Sequence, residues 1–328
     1  MKTTTNSSFP AFYDKNKVGD IYLAREALVA EAAVDYASTH GIKPAIEDKA
    51  KIALFGIDIQ IGFCQPSASL FVPGAVEDSA RTAEFIFRNL DKITETYFSL
   101  DTHRAYQIFH PAFWLDNDTK KHPAPFTLIT VDSIKSGKYS PLFFPHECLA
   151  YCEELEKTGK YVLCIWPFHT MLGSVGHAMV PAVYEAALFH SIARRKQIHF
   201  ETKGVHPLTE NYSVLSPEVK KVRGKVVGQF NTNFFKALMD NDRVYILGQA
   251  SSHCVKTTIE DLLAQIKSTE PELVKKVFIV EDCMSPVSAV TDGHGKVIID
   301  FPKIAVDALD RFRVEGMNVV KSTDSIVF

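Results

Sequence analysis

Three residues able to carry hydrolytic chemistry stand just after apolar runs. In VYILGQASSHCVKTTIEDLL the run passes through Gly248 into a small polar turn, and Cys254 opens what reads as a helix. Free N–H groups and partial positive charge at a helix N-terminus lower a thiol's pKa and hold an oxyanion, so Cys254 is the expected nucleophile. Cys64, Cys148, Cys152, Cys164 and Cys283 lack that setting and read as small packing residues. In KIALFGIDIQIGFCQ, Asp58 follows a mostly apolar stretch, where a carboxylate is costly without a partner. It either caps a helix or bonds loop amides, or it works as an acid and base. Lys203, before Gly204, is either a solvated surface lysine or a cation that stabilises a nearby thiolate.

A second group suggests a metal. Asp101 and His103 are separated by one residue, a spacing that points both side chains to one face of an extended chain. His169, ending Trp166-Pro167-Phe168-His169, adds an imidazole. Asp, His and His form a three-ligand site with open positions, as a catalytic zinc or iron requires. His110, His146 and His177 are nearby in sequence, with an ordinary surface or buried-polar role expected for each.

These residues need a scaffold. The runs KIALFGIDI, ITETYFSLDTH, YVLCIWPFH (161–169), RVYILGQA and KVFIVEDC each read as a strand buried on both faces, with amphipathic stretches such as AVEDSARTAEFIFRNLDKI and VKTTIEDLLAQIKS between them. That alternation predicts a three-layer, doubly wound α/β fold: a mostly parallel sheet with helices on both faces and a site at the strands' carboxyl ends. Residues 1–47 read as an N-terminal helical arm that packs on the body or on a neighbouring subunit. Within it the stretch 20–39 is amphipathic, His40-Gly41 supplies a C-cap and Pro44 follows. Residues 48–328 form the main domain, with irregular insertions near 115–160 and 216–233.

Composition excludes several classes. Apolar residues are 46% and charged residues 23% of 328, which excludes disorder and coiled coil. Lys+Arg 36 against Asp+Glu 39 leaves a net charge of −3, so neither nucleic acid nor an anionic membrane is expected as a partner. Six cysteines are too few for a disulfide scaffold, and the start MKTTTNSSFPAFYDK has no apolar core of the signal-peptide kind, so a cytoplasmic, reduced protein is expected.

Taken together, these motifs resemble the nicotinamidase and isochorismatase-like cysteine hydrolases over roughly residues 50–290. Asp58 with Gln60 and Phe63, continued by Ser69 to Ala75, looks like the motif of the catalytic acid/base; Lys203-Gly204 with Tyr212-Ser213 looks like that of the catalytic lysine; Leu247 to Val255 looks like that of the nucleophile. The resemblance implies a cis Gln249-Ala250 peptide and an oxyanion hole from the N–H groups of Ala250 and Cys254. It also implies a divalent metal on Asp101, His103 and His169, zinc first with iron or manganese as alternatives, and a pocket lined by Phe63 and Trp166. The metal set points to the nicotinamidase branch. Gly62, Ser67-Ala68-Ser69 and the residues after His169 depart from that branch's usual pattern.

The implied activity is an amidohydrolase acting on a small carboxamide, with nicotinamide the leading candidate, in a homo-oligomer. Two rivals are a metallohydrolase using metal-bound water, and a non-catalytic scaffold that binds through its arm. Another isochorismatase-like hydrolase with a different small substrate is a further alternative.

Overall fold

The computed structural model describes residues 9–158, 161–291 and 294–326. Residues 1–8 of the expected arm, 159–160 of the first expected insertion, and 292–293 and 327–328 lie outside the described residues. In chain order the main elements are α1 (Glu26–His40), β1 (Ile52–Ile57), α2 (Ala75–Arg88), β2 (Glu95–Asp101), α3 (Pro145–Thr158), α4 (Pro181–Arg194), β3 (Ile198–Lys203), α5 (Thr232–Met239), β4 (Arg243–Gly248), α6 (Cys254–Thr269), β5 (Val277–Val280), α7 (Phe301–Val314) and β6 (Asn318–Val320).

The six strands form one wholly parallel sheet in the order β6-β5-β4-β1-β2-β3. All six residues of β1 are buried, as a central strand covered on both faces must be. Helix α2 covers one face, with Phe85 against Tyr245, and α5 covers the other, with Phe234 against Phe55 and Tyr97. This is the expected doubly wound α/β architecture. The chain leaves β1 toward β2 and β3 on one side and returns to β4 on the other, so a crevice opens between the carboxyl ends of β1 and β4.

Helix α1 ends at Gly41, whose φ of 63° provides the left-handed cap. It begins later than its periodicity suggests, because Arg25 and Tyr22 are tied to Glu185 and hold the preceding residues outside the helix. The arm packs on α4 of the main body.

One strand assignment fails. The run 161–169 is not in the main sheet: only Leu163–Cys164 is extended, and it pairs antiparallel with Leu128–Ile129. Its backbone is claimed locally, since Ile165 N–H donates to Thr127 and Trp166 N–H to Phe109, and Pro167 has no donor to continue a ladder. The sheet is completed instead by β3 and β6. Between 114 and 158 the chain forms a small antiparallel pair, Trp114–Asp116 with Tyr139–Pro141, followed by α3; Lys221–Val222 and Lys225–Val226 form a short hairpin.

Gly248 ends β4 with φ 125°, and a Cβ placed there would sit 2.1 Å from the Ile57 carbonyl oxygen. Only glycine lets β4 approach β1 so closely at the crevice. Gly248→Ala is expected to lower the thermal midpoint sharply or to leave the protein insoluble; an unchanged midpoint would show that the close approach is not needed.

Candidate active site

Four strand ends deliver the expected residues to one place. Asp58 follows β1, Asp101 ends β2, Lys203 ends β3 and Cys254 opens α6 after β4. Lys203 Nζ lies 2.9 Å from Asp58 Oδ2, 2.8 Å from Asp101 Oδ1 and 3.6 Å from Cys254 Sγ, and it donates to the Asn211 carbonyl at 2.9 Å. All four side chains are buried. Asp58 sits at φ 49°, a left-handed conformation that costs a non-glycine residue about 1–3 kcal/mol and must be held by its surroundings. Ser99 does so: its hydroxyl donates to Asp58 Oδ1 at 2.6 Å, and its carbonyl accepts from Asp58 N–H.

Burial raises the Asp58 pKa, partly offset by the Lys203 ammonium. Burial alone would push the Lys203 amine down, but Asp101, Asp58 and the Cys254 sulfur hold it well above its ordinary value. The expectation that a helix N-terminus makes Cys254 acidic is corrected here. Desolvation pushes its thiol well up, with Lys203 opposing and Asp58 reinforcing. Desolvation disfavours the thiolate, so a thiol in this setting would need a base beside it to act as a nucleophile.

Asp101 also faces the histidines. Its Oδ2 is 2.8 Å from His103 Nε2 and 3.5 Å from His169 Nε2. His169 Nδ1 is 2.7 Å from the Pro167 carbonyl and His103 Nδ1 is 3.3 Å from that of Gly204, so each ring turns Nε2 inward. Ligand atoms of Asp101, His103 and His169 lie within 4.8 Å of one another. Two imidazoles anchored through Nδ1 beside a carboxylate are the donor set a divalent metal takes, with backbone carbonyls as the outer shell. His169 reaches this place from an irregular segment that bridges to β2's extension at His103 and Met171, not from a strand end. His110 stands beside the cluster with its ring 5.8 Å from that of His103. Burial lowers its pKa to about 3, and its Nε2 has no hydrogen-bond partner among the described residues. His177 binds Thr102 Oγ1 at 2.8 Å, and His146 is exposed on α3.

Phe63, Trp166, Tyr212, His253 and Ala250 line a narrow cavity of about 30 Å³ with Lys203 and Cys254 on its wall. The Gln249-Ala250 peptide is cis. Trp166 Nε1–H donates to the Tyr212 hydroxyl at 3.0 Å, and the Phe63 ring meets His169 edge-on at 5.4 Å. Ser99 behind Asp58 and Glu210 and His253 on the cavity wall have no signal in the sequence, and Tyr212 has only its place in the motif that follows Lys203. His253 is kept neutral, its pKa lowered to about 3 by burial and then by Lys256. Glu210 is buried, and desolvation raises its pKa to about 7, with His103 opposing. Gln60 is the clip of the site, since its amide donates to the Asp101 carbonyl and accepts from Asp101 N–H. Gly62 has a steric cause: a Cβ there would lie 2.9 Å from Thr170 Cγ2 and 3.0 Å from the Gly176 carbonyl oxygen, so no side chain fits beside the His169 segment.

No family model matches the chain, and no curated protein matches it. Solved structures do. The chain is similar to the yeast nicotinamidase bound to the inhibitor nicotinaldehyde, at 19% identity and a TM-score of 0.53, covering 82% of this chain and 99% of that one. It is also similar to an Acinetobacter baumanii nicotinamidase pyrazinamidease, at 18% identity and a TM-score of 0.51, covering 85% of this chain and 99% of that one. The chain has the fold of these nicotinamidases. No helix among the described residues is long and apolar enough to cross a membrane.

Removing the central cation should be costly. In metal-free protein, Lys203→Met leaves Asp58 and Asp101 buried without a counter-charge, and denaturant unfolding is expected to show a loss of about 3–5 kcal/mol; a loss below about 1 kcal/mol would mean the ammonium balances nothing. Glu210 gives a pH signature. Its native pKa near 7 lies above the ordinary value of 4.5, so the group favours the folded state at low pH and disfavours it as pH rises from 4.5 through 7. The thermal midpoint of metal-free Glu210→Gln should therefore match wild type in acid and exceed it increasingly toward pH 8. A difference constant across that range would contradict this assignment.

Proposed function

We propose that this chain is an amide hydrolase with a cysteine nucleophile, acting on a small uncharged carboxamide, with nicotinamide the leading candidate. The observation that carries this reading is the single ammonium of Lys203 in contact with Asp58, Asp101 and Cys254 at the crevice wall.

In the proposed reaction, Asp58 takes the Cys254 thiol proton, and the thiolate attacks the amide carbon. Its oxygen, now negative, is held by the N–H groups of Ala250 and Cys254. Protonated Asp58 gives its proton to the nitrogen as the C–N bond breaks, releasing ammonia and leaving a thioester. Water attacks the thioester, Asp58 accepts a proton from it, and the C–S bond breaks to give the carboxylic acid and restore the thiol. Lys203 stabilises the thiolate and carboxylate states throughout. Asp101, His103 and His169 would hold a divalent metal, zinc first with iron or manganese as alternatives, which when bound supplies a Lewis-acid contact to a donor atom of the substrate. Phe63 and Trp166 would flank a flat ring in the pocket that they line together with Cys254 and Lys203. Six free cysteines fit a reducing, cytoplasmic setting.

Ammonia release from a panel of small amides, beginning with nicotinamide and pyrazinamide, tests the reading. Cys254→Ala is expected to reduce turnover by about three orders of magnitude or more while zinc still binds. Retained turnover in Cys254→Ala would favour the rival metal-bound water. If nicotinamide is inert while another amide is hydrolysed, the chemistry stands and the named substrate falls.

A further inference from the structure

We infer that the free edge of β3, with the apolar groove beside it, is a two-fold interface between two copies of this chain. The inference is independent of the proposed activity. Among the described residues β3 is paired only with β2, so one side of its backbone has no strand partner there. Parallel sheets are ordinarily covered on both faces, yet His199, Phe200 and Thr202 are exposed, with Phe200 at 44%. Residues 198–202 carry no proline, no lysine and no bulge, three of the usual guards against edge pairing, and Glu201 is their one carboxylate.

The side-chain order is self-complementary. If two β3 strands pair antiparallel about a two-fold axis at Phe200, Phe200 faces its own copy. His199 then faces Glu201 of the second copy, Glu201 faces His199, and Ile198 faces Thr202. The register brings an imidazole against a carboxylate twice and aromatic against aromatic once, the pairings that stabilise an antiparallel ladder. An axis perpendicular to the sheet keeps like faces on the same side. It thereby sets Phe200 of each copy at the groove it shares with Ile21, Leu23, Val175 and Met179. Leu23 and Val175 are 84% and 61% exposed in the single chain, an apolar surface that a second copy would cover. The two sheets would become one of twelve strands, and the N-terminal arm would border the interface.

Sedimentation and crosslinking test this directly. Wild-type protein is expected to sediment at twice the chain mass in the micromolar range. Directly opposed residues in an antiparallel pair have Cα atoms about 4.5–5.5 Å apart, within disulfide reach. Because all six native cysteines are buried, Phe200→Cys should oxidise to a covalent dimer, whereas Thr202→Cys, which does not face itself, should not. Glu201→Lys should weaken association by about tenfold, and adding His199→Glu should recover it. A monomer throughout the micromolar range overturns the inference. So does a dimer in which Phe200→Cys fails to crosslink and Glu201→Lys changes nothing.

Discussion

The Asp101 carboxylate divides its two oxygens between the Lys203 ammonium and a pair of imidazoles, and the rest of the site is arranged around that division. Oδ1 meets Lys203 at 2.8 Å, while Oδ2 faces His103 and His169. Lys203 in turn meets Asp58 at 2.9 Å, so one buried cation balances two carboxylates and lies beside the thiol. Desolvation would otherwise neutralise each of these groups, and their mutual contacts decide which ones stay charged. Asp101 remains ionised well below the ordinary carboxylate range: burial opposes this, but His103 and Lys203 outweigh it. The surroundings of Cys254 and the cluster of Asp101, His103 and His169 are thus electrostatically one unit, and disturbing either moves the other.

The fold supplies the alignment this balance needs. In a parallel sheet every strand ends on the same side, so Asp101 and Lys203, paired in register at the ends of β2 and β3, meet without any long loop. The reversal of strand order places β4 beside β1, and Gly248 allows the contact that aims the turn 249–253 at Asp58. Gln60 then fixes the end of β1 to that of β2 through two hydrogen bonds to the Asp101 backbone. Rigid strand ends carry the reactive groups, and the apolar walls come from the intervening segments.

Much of this was legible in the sequence, because apolar runs followed by a polar residue mark buried strand ends. Asp58, Asp101 and Cys254 were found in that way. Lys203 was harder, since HFETK is an edge strand with too few apolar residues to declare itself. The run 161–169 misled for the opposite reason: its apolar residues are buried, but against residues 109 and 127 and not in the sheet. The lowered thiol pKa failed because a sequence shows the helix start but not the depth of burial, and here desolvation prevails. Ser99, Glu210 and His253 carry no local signal, since their roles depend on what folds beside them. For Tyr212, two residues after Glu210 in ENYS, the only signal was its place in the motif that follows Lys203.

The central claim is that Cys254, and not a metal-bound water, forms the first bond to the substrate. Mass spectrometry of protein acid-quenched during turnover of a carboxamide tests it most directly. An acyl group is expected on the peptide carrying Cys254, appearing with substrate and lost as the acid product accumulates. Continued turnover with that peptide unmodified at every time point, and undiminished in Cys254→Ala, would contradict it.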